Sequence, residues 1–262
     1  MFPILLYICI MNRIVFITGA TSGIGKACAE KFALQGDNLI LTGRRADRLQ
    51  TLKDELELRH KIRVFTLCFD VQDRDAVFSG VAQLPEDWLE IDILINNAGL
   101  ALGREYFEDA DLDDWDTMLR TNVNGILYTT RAVLPLMIPR HRGHIINIGS
   151  TAAKEVYAKG NVYCASKQAV DVLSQSMRID LLRHGIKVTA VHPGAAETEF
   201  SLVRFKGDQL KASGVYEGFQ PLSGADIADV VCYCTSLPAN VCINDLVMTS
   251  LSQANSLYLH KD

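Results

Sequence analysis

From Arg13 onward the chain alternates short apolar runs with longer amphipathic stretches. The runs at 14–18, 39–42, 64–68, 91–95, 144–148 and 187–191, with a last one near 242–248, are rich in Ile, Val and Leu and read as strands. Between them, 24–35, 46–59, 74–84, 113–136, 162–184 and 225–236 carry helical spacing. Strands separated by helices of this length are the mark of β-α-β units in a parallel sheet, whose strands are buried on both faces and so apolar throughout. The pattern predicts one α/β domain over 13–262, a doubly wound parallel sheet of about seven strands with helices on both faces. No repeat, low-complexity segment or linker divides it.

Composition narrows the picture without redirecting it. The chain has 262 residues, 48% hydrophobic and 22% charged, which suits one large domain. A net charge of −5 and the lack of a basic run argue against a nucleic-acid partner. Seven cysteines are scattered with no Cys-x-x-Cys pair. That usage predicts a reduced, cytoplasmic compartment, with no metal implied. Residues 1–12 are apolar but lack a positive flank and a cleavage site, and are about half the ~20 residues needed to span a bilayer. They are expected to be a non-functional extension, Met11 lying just before the first strand, so no membrane partner is expected.

Candidate chemistry clusters at the ends of the strands. Residues 18–25 read Thr-Gly-Ala-Thr-Ser-Gly-Ile-Gly after a strand and at the start of a helix. Gly19, Gly23 and Gly25 allow a tight turn, and the backbone of Thr21, Ser22, Gly23 and Ile24 would face a pyrophosphate at the helix N-terminus. After the second strand, where an acid often binds a ribose 2′-hydroxyl, stand Gly43, Arg44 and Arg45. Guanidinium groups suit a 2′-phosphate, so NADP is the expected cofactor. Asp70 and Val71 close the third strand; Asp70 either accepts from an adenine amino group or caps the next helix. Asn96, Asn97, Ala98 and Gly99 close the fourth, and there cofactor contact and strand bracing both remain open. Tyr163 and Lys167, four residues apart on a predicted helix, share one face. Alone they titrate near ~10 and ~10.4; together the ammonium favours the phenolate, so the phenol pKa is expected to fall.

These segments together resemble the short-chain dehydrogenase/reductase family. The likeness rests on the glycine turn at 18–25, Asn96-Asn97-Ala98-Gly99, Asn122, Ser150, Tyr163-x-x-x-Lys167 and Pro193-Gly194, and it spans about 13–250. It implies NAD(P)-dependent hydride transfer and a homotetramer. Residue by residue, it implies that Ser150 donates to the substrate oxygen and Tyr163 passes the proton. Lys167 tunes that phenol and reaches the nicotinamide ribose, Asn122 helps hold a water, and Pro193 and Gly194 line the cofactor.

The runs 97–103, 130–135, 144–151 and 203–208 resemble the NADP-dependent 3-hydroxy acid dehydrogenases, a subgroup acting on serine, allo-threonine, 3-hydroxyisobutyrate and malonic semialdehyde. Two stretches, 153–156 and 195–197, depart from that pattern in loops expected to line the substrate pocket. A small hydroxy acid needs a cation, and Arg204 and Lys206 are the candidates, with Arg204 preferred for its bidentate fork; solvated lid charges are the other reading. Glu155 and Glu197 would instead favour an ammonium-bearing substrate. Reduction of a 3-oxoacyl thioester or diketone, or an inactive NADP-binding regulator, are the rival functions.

Overall fold

In a computed structural model, residues 12–262 are described. Their order is β1 (Ile14–Ile17), α1 (Gly23–Leu34), β2 (Asn38–Gly43), α2 (Ala46–His60), β3 (Val64–Cys68), α3 (Arg74–Ala82), β4 (Ile91–Asn96), α4 (Leu112–Leu119) and α5 (Gly125–Met137). There follow β5 (Gly143–Ile148), α6 (Asn161–Leu181), β6 (Ile186–Pro193), β7 (Ala196–Glu197), α7 (Glu199–Arg204), α8 (Gln209–Gly214), β8 (Leu222–Ser223), α9 (Gly224–Ser236) and β9 (Asp245–Met248). The apolar extension expected at 1–12 falls, but for its last residue, outside the described residues.

Strand β1 shows how pattern becomes architecture. Val15 and Ile17 pack into one hydrophobic cluster, Ile14 and Phe16 into another, and all four are buried. Successive side chains of a strand point to opposite faces, so a strand apolar at every position needs cover on both. Helices α1, α2 and α9 supply it on one side through Phe32, Leu52 and Val231. On the other, α3, α5 and α6 do so through Val77, Val133 and Leu181. The expected doubly wound sheet is thus observed: seven parallel strands in the order β3-β2-β1-β4-β5-β6-β9. The order reverses between β1 and β4. Ligands of such sheets bind in the crevice beyond the carboxyl ends of the strands at that reversal. A second, two-stranded parallel pair, β7 with β8, stands apart from this sheet.

One predicted helix is not a single helix. The 113–136 stretch is broken by a π turn at Arg120–Asn124 between α4 and α5. Apolar spacing continues through the break, which is why periodicity alone does not reveal it. The side chain of Asn122 holds the widened turn against Leu100, accepting from its N–H and donating to its carbonyl, both at 2.8 Å. Among the described residues, no helix is long and apolar enough to cross a membrane.

The core also contains His144, buried on β5. Its Nε2 lies 2.8 Å from the Thr189 hydroxyl, which itself donates to the Ile243 carbonyl at 2.6 Å. The histidine must therefore be the donor, neutral and protonated on Nε2. Burial, helped by Lys187 and Arg13, pushes its pKa down to about 3. The unfolded chain binds that proton near pH ~6.5, so it holds more protons than the native state below that pH. Stability contributed by the neutral ring is full above pH ~6.5 and falls as pH drops towards 3, by about 1.4 kcal/mol per unit. Urea unfolding at pH 6.5 and 5 should show this slope, and His144→Gln should remove one proton from it; an unchanged slope in the variant would refute the assignment.

Candidate active site

The turn between β1 and α1 is built around one carboxamide. Asn97 Nδ2 donates to the carbonyls of Thr18 at 2.9 Å and Gly19 at 3.1 Å, while the Thr18 hydroxyl accepts from the N–H groups of Asn97 and Ala98 at 3.0 Å. Gly19 has φ +66°, a left-handed value that glycine adopts at no steric cost. At Gly25 a Cβ would fall against Asn97 Nδ2 and the Gly19 carbonyl, so the helix can approach the turn only as glycine. Ser22 is the N-cap of α1 but makes no side-chain cap. The first N–H groups of the helix therefore have no side-chain acceptor from it. Asn96, next to Asn97, is purely a brace: its amide donates to Thr130 at 3.0 Å and Asn147 at 2.8 Å.

A cleft of about 800 Å³ runs from this turn across the strand ends. Gly19, Thr21, Ser22, Gly23, Ile24, Arg44, Arg45, Asp70, Val71, Asn97, Ala98, Gly99, Ser150, Tyr163, Pro193, Gly194 and Arg204 line it. Gly25, Asn122 and Lys167 stand one layer behind its wall. Arg45 donates from Nε and Nη2 to the Thr21 hydroxyl and from Nη2 to Ser22. Arg44 is more exposed and touches Asp70 at 3.4 Å. Asp70 does not cap the following helix: Asp73 does, accepting from Ala76 at 3.0 Å.

The phenol and ammonium do not pair as the four-residue spacing suggests. Lys167 Nζ donates to the Ile148 carbonyl at 2.9 Å, and burial lowers its pKa to about 8. Tyr163 is 7% exposed, and its pKa is raised, first by burial and then by neighbouring Tyr157. The Ser150 hydroxyl and the Arg204 guanidinium oppose that rise, and Lys167 is not among the groups acting on it. The expected fall is overturned because an apolar wall favours the neutral form of both groups. Asn122 spends its amide on Leu100 and, at 3.0 Å, on Ser166.

Ser150 lies two residues past β5 and caps the short turn that follows it, its Oγ accepting from the Ala152 N–H at 3.1 Å. Behind it the ring of His192 fills the space where Gly149 has no side chain. His192 Nε2 lies 2.9 Å from Asp245, without hydrogen-bond alignment, and 3.7 Å from Asp171. Lys154, from the divergent 153–156 stretch, pairs with both acids at 2.8 and 2.6 Å and so points away from the cleft.

Helix α7 brings the cation. Arg204 stands 5.5 Å from the Tyr163 ring centre and 5.9 Å from that of Tyr157. It donates to the Gly103 carbonyl at 3.2 Å and has no ion-paired acid among the described residues. Lys206 is corrected: it pairs with Asp114 at 2.8 Å and does not line the cleft. Glu155 accepts from the Ser256 N–H at 2.9 Å, and neither it nor Glu197 reaches the lining. Sequence reasoning missed Tyr157, Arg104 and a C-terminal wall that includes Gln253, Leu257 and Lys261. Gln253 accepts from the Ala195 N–H at 2.8 Å, a contact between distant loops with no sequence signal. Tyr157 could have been suspected as an aromatic six residues before Tyr163.

Comparison with known proteins agrees with this geometry. A family model described as short chain dehydrogenase matches residues 13–208. The NADP-dependent 3-hydroxy acid dehydrogenase YdfG of Salmonella typhi is 48% identical over 242 residues, 92% of this chain and 96% of that one. Sulfoacetaldehyde reductase 2 of Chromohalobacter salexigens is 45% identical over 249 residues, 95% and 98% of the two chains. Among solved structures, the closed form of serine dehydrogenase complexed with NADP+ superposes with a TM-score of 0.88 at 47% identity, covering 95% of this chain and all of that one. With the glycine turn, the serine and the Tyr-x-x-x-Lys pair around one crevice, the chain belongs to the short-chain dehydrogenase family.

Proposed function

We propose that the chain is an NADP-dependent oxidoreductase that interconverts a small alcohol and its aldehyde or ketone, where an anionic group lies close to the reacting carbon. The 3-hydroxy acids and hydroxy amino acids are the preferred class. The observation that carries this is Arg204, half-buried in the cleft wall beside Tyr163 with no acidic partner among the described residues. A desolvated guanidinium favours an anion, and its fork suits a carboxylate. The 45%-identical relative named for sulfoacetaldehyde makes a sulfonate the second reading, since sulfoacetaldehyde and malonic semialdehyde share one skeleton. A 3-oxoacyl thioester or diketone would leave Arg204 unused.

The turn fits the cofactor. The uncapped start of α1 and the glycine contacts at Asn97 suit a pyrophosphate, and Arg44 with Arg45 a 2′-phosphate. Asp70, Val71, Ala98, Gly99, Pro193 and Gly194 would line the adenine and nicotinamide ends. When bound, NADP(H) supplies or accepts the hydride. Tyr163, its phenol kept protonated by burial, donates the proton to the carbonyl oxygen, and Ser150 hydrogen-bonds that oxygen as charge develops. Lys167 sits behind them as the buried cation, and the backbone around Asn122 keeps its neighbourhood ordered. The chain acts on a small molecule, and a homotetramer in the cytoplasm is the assembly and location proposed with it.

Three outcomes test this. Tyr163→Phe should bind NADPH as tightly as the native protein and lose about 10²–10⁴-fold in turnover; undiminished turnover would end the enzymatic reading. Arg204→Ala should raise KM for serine, 3-hydroxyisobutyrate or malonic semialdehyde roughly 10- to 100-fold, with kcat less affected. An unchanged KM rules out Arg204 as the anion site. Lys167 carries its charge below pH about 8 and loses it above, while the phenol stays protonated throughout. The kcat/KM of reduction should therefore fall as pH rises through 8; a flat profile from pH ~7 to ~9.5 would contradict it.

A further inference from the structure

Arg45 is not idle in this structure. Besides Thr21 and Ser22, it donates from Nη1 to Glu199 Oε2 at 2.9 Å, and Arg48 donates to Glu199 Oε1 at 2.7 Å. One carboxylate thus bridges two guanidinium groups at the adenosine end of the cleft. Burial would raise the Glu199 pKa, but the bonds from Arg45 and Arg48 more than offset that and hold it lowered, so the group is an anion. Glu199 is the first residue of α7, and Arg204, beside Tyr163, is the last. Thr198, the N-cap of α7, sits against the phosphate turn: a Cβ on Gly23 would lie 3.2 Å from Thr198 Cβ. One six-residue helix therefore touches both the arginines next to the phosphate turn and the acid–base tyrosine.

We propose that Glu199 is a built-in competitor for the 2′-phosphate of NADP(H). It occupies the Arg45–Arg48 pair until a phosphate displaces it. The inference rests on the NADP reading given above. A phosphate monoester and a carboxylate seek the same forked N–H donors, and a guanidinium has a fixed number of them. Four of the five N–H groups of Arg45 are taken, by Thr21, Ser22 and Glu199, so a 2′-phosphate gains a forked grip on this arginine only as Glu199 gives up Nη1. Two consequences follow from the position of Glu199. The preference for NADP over NAD is weaker than three neighbouring arginines alone would give. Release of Glu199 also unfastens the end of α7 opposite Arg204, so the 2′-phosphate is felt at the substrate cation.

Isothermal titration of the full chain with adenosine 2′,5′-bisphosphate and, separately, with adenosine 5′-monophosphate tests this without turnover. Glu199→Gln keeps the shape of the side chain and removes the charge. The two pairs are partly exposed and individually weak, so Glu199→Gln should bind the bisphosphate about two- to thirtyfold more tightly. Binding of the monophosphate should not change. Equal or weaker bisphosphate binding overturns the proposal and leaves the NADP reading standing. Equal tightening of both ligands also overturns it, because that is the result of a loosened α7 and not of competition. If the native chain binds the bisphosphate no better than the monophosphate, the NADP reading itself fails and the proposal with it.

Discussion

The carboxamide of Asn97 is the constraint on which the rest of this crevice depends. It stands at the end of β4 and bonds the first two carbonyls of the turn after β1. These are the two strands between which the sheet order reverses. That single group fixes the separation of the strand ends, the shape of the glycine turn and the approach of α1 at Gly25. Without it, two buried or half-buried carbonyls would need other donors, at about 1–3 kcal/mol each. Beneath it the buried chain Thr130–Asn96–Asn147–Ser174 links α5, β4, β5 and α6 by bonds of 2.8–3.0 Å. The floor of the cleft is therefore rigid in polar as well as apolar terms.

The chemistry above that floor is shaped by burial more than by pairing. Tyr163 and Lys167 both sit where their neutral forms are favoured, and the groups that act against this on the phenol are Ser150 and Arg204, not the lysine. A proton donor that stays protonated suits the direction in which a carbonyl is reduced. The guanidinium facing it comes from α7, a short element that the sheet does not hold. The proposed acid–base groups, on strand and helix ends, thus face the proposed substrate cation on a separately anchored helix. In such an arrangement specificity can change while the acid–base centre is preserved.

Much of this was legible from residues alone, for identifiable reasons. Strands declare themselves as apolar runs: 64–68 matches β3 to the residue and the other six runs match their strands of the large sheet to within about three, whereas the two-residue β7 and β8 carry no such run. Glycines forced by close approach, as at Gly25, leave a signature in spacing. The π turn at Arg120–Asn124 left none, because its apolar spacing matches a helix and the bond that widens it comes from Leu100, far along the chain. In the sequence Lys206 and Glu155 look as available to a charged substrate as Arg204; their partners, Asp114 and the Ser256 backbone, take them out of the cleft. The expected tuning of Tyr163 by Lys167 failed for a similar reason. Shared helical face is a local property, while the Ile148 carbonyl that captures the lysine is a tertiary one.

The parallel register has a consequence for how the molecule is made. Of the six strand pairings in the large sheet, β1 with β4, starting at Ile14↔Ile91, joins residues farthest apart in sequence; β1 with β2 starts at Ile14↔Asn38 and β5 with β6 at Gly143↔Ile186. Loop-closure entropy grows with that separation, and non-local pairing is slow. The crevice is closed by this most costly pairing, whose strands also carry Thr18 and Asn97 at their ends. A nucleotide finds its full binding surface only after that step. It can therefore do little to speed folding, and its effect on the lifetime of the native chain is exerted by slowing the reverse passage.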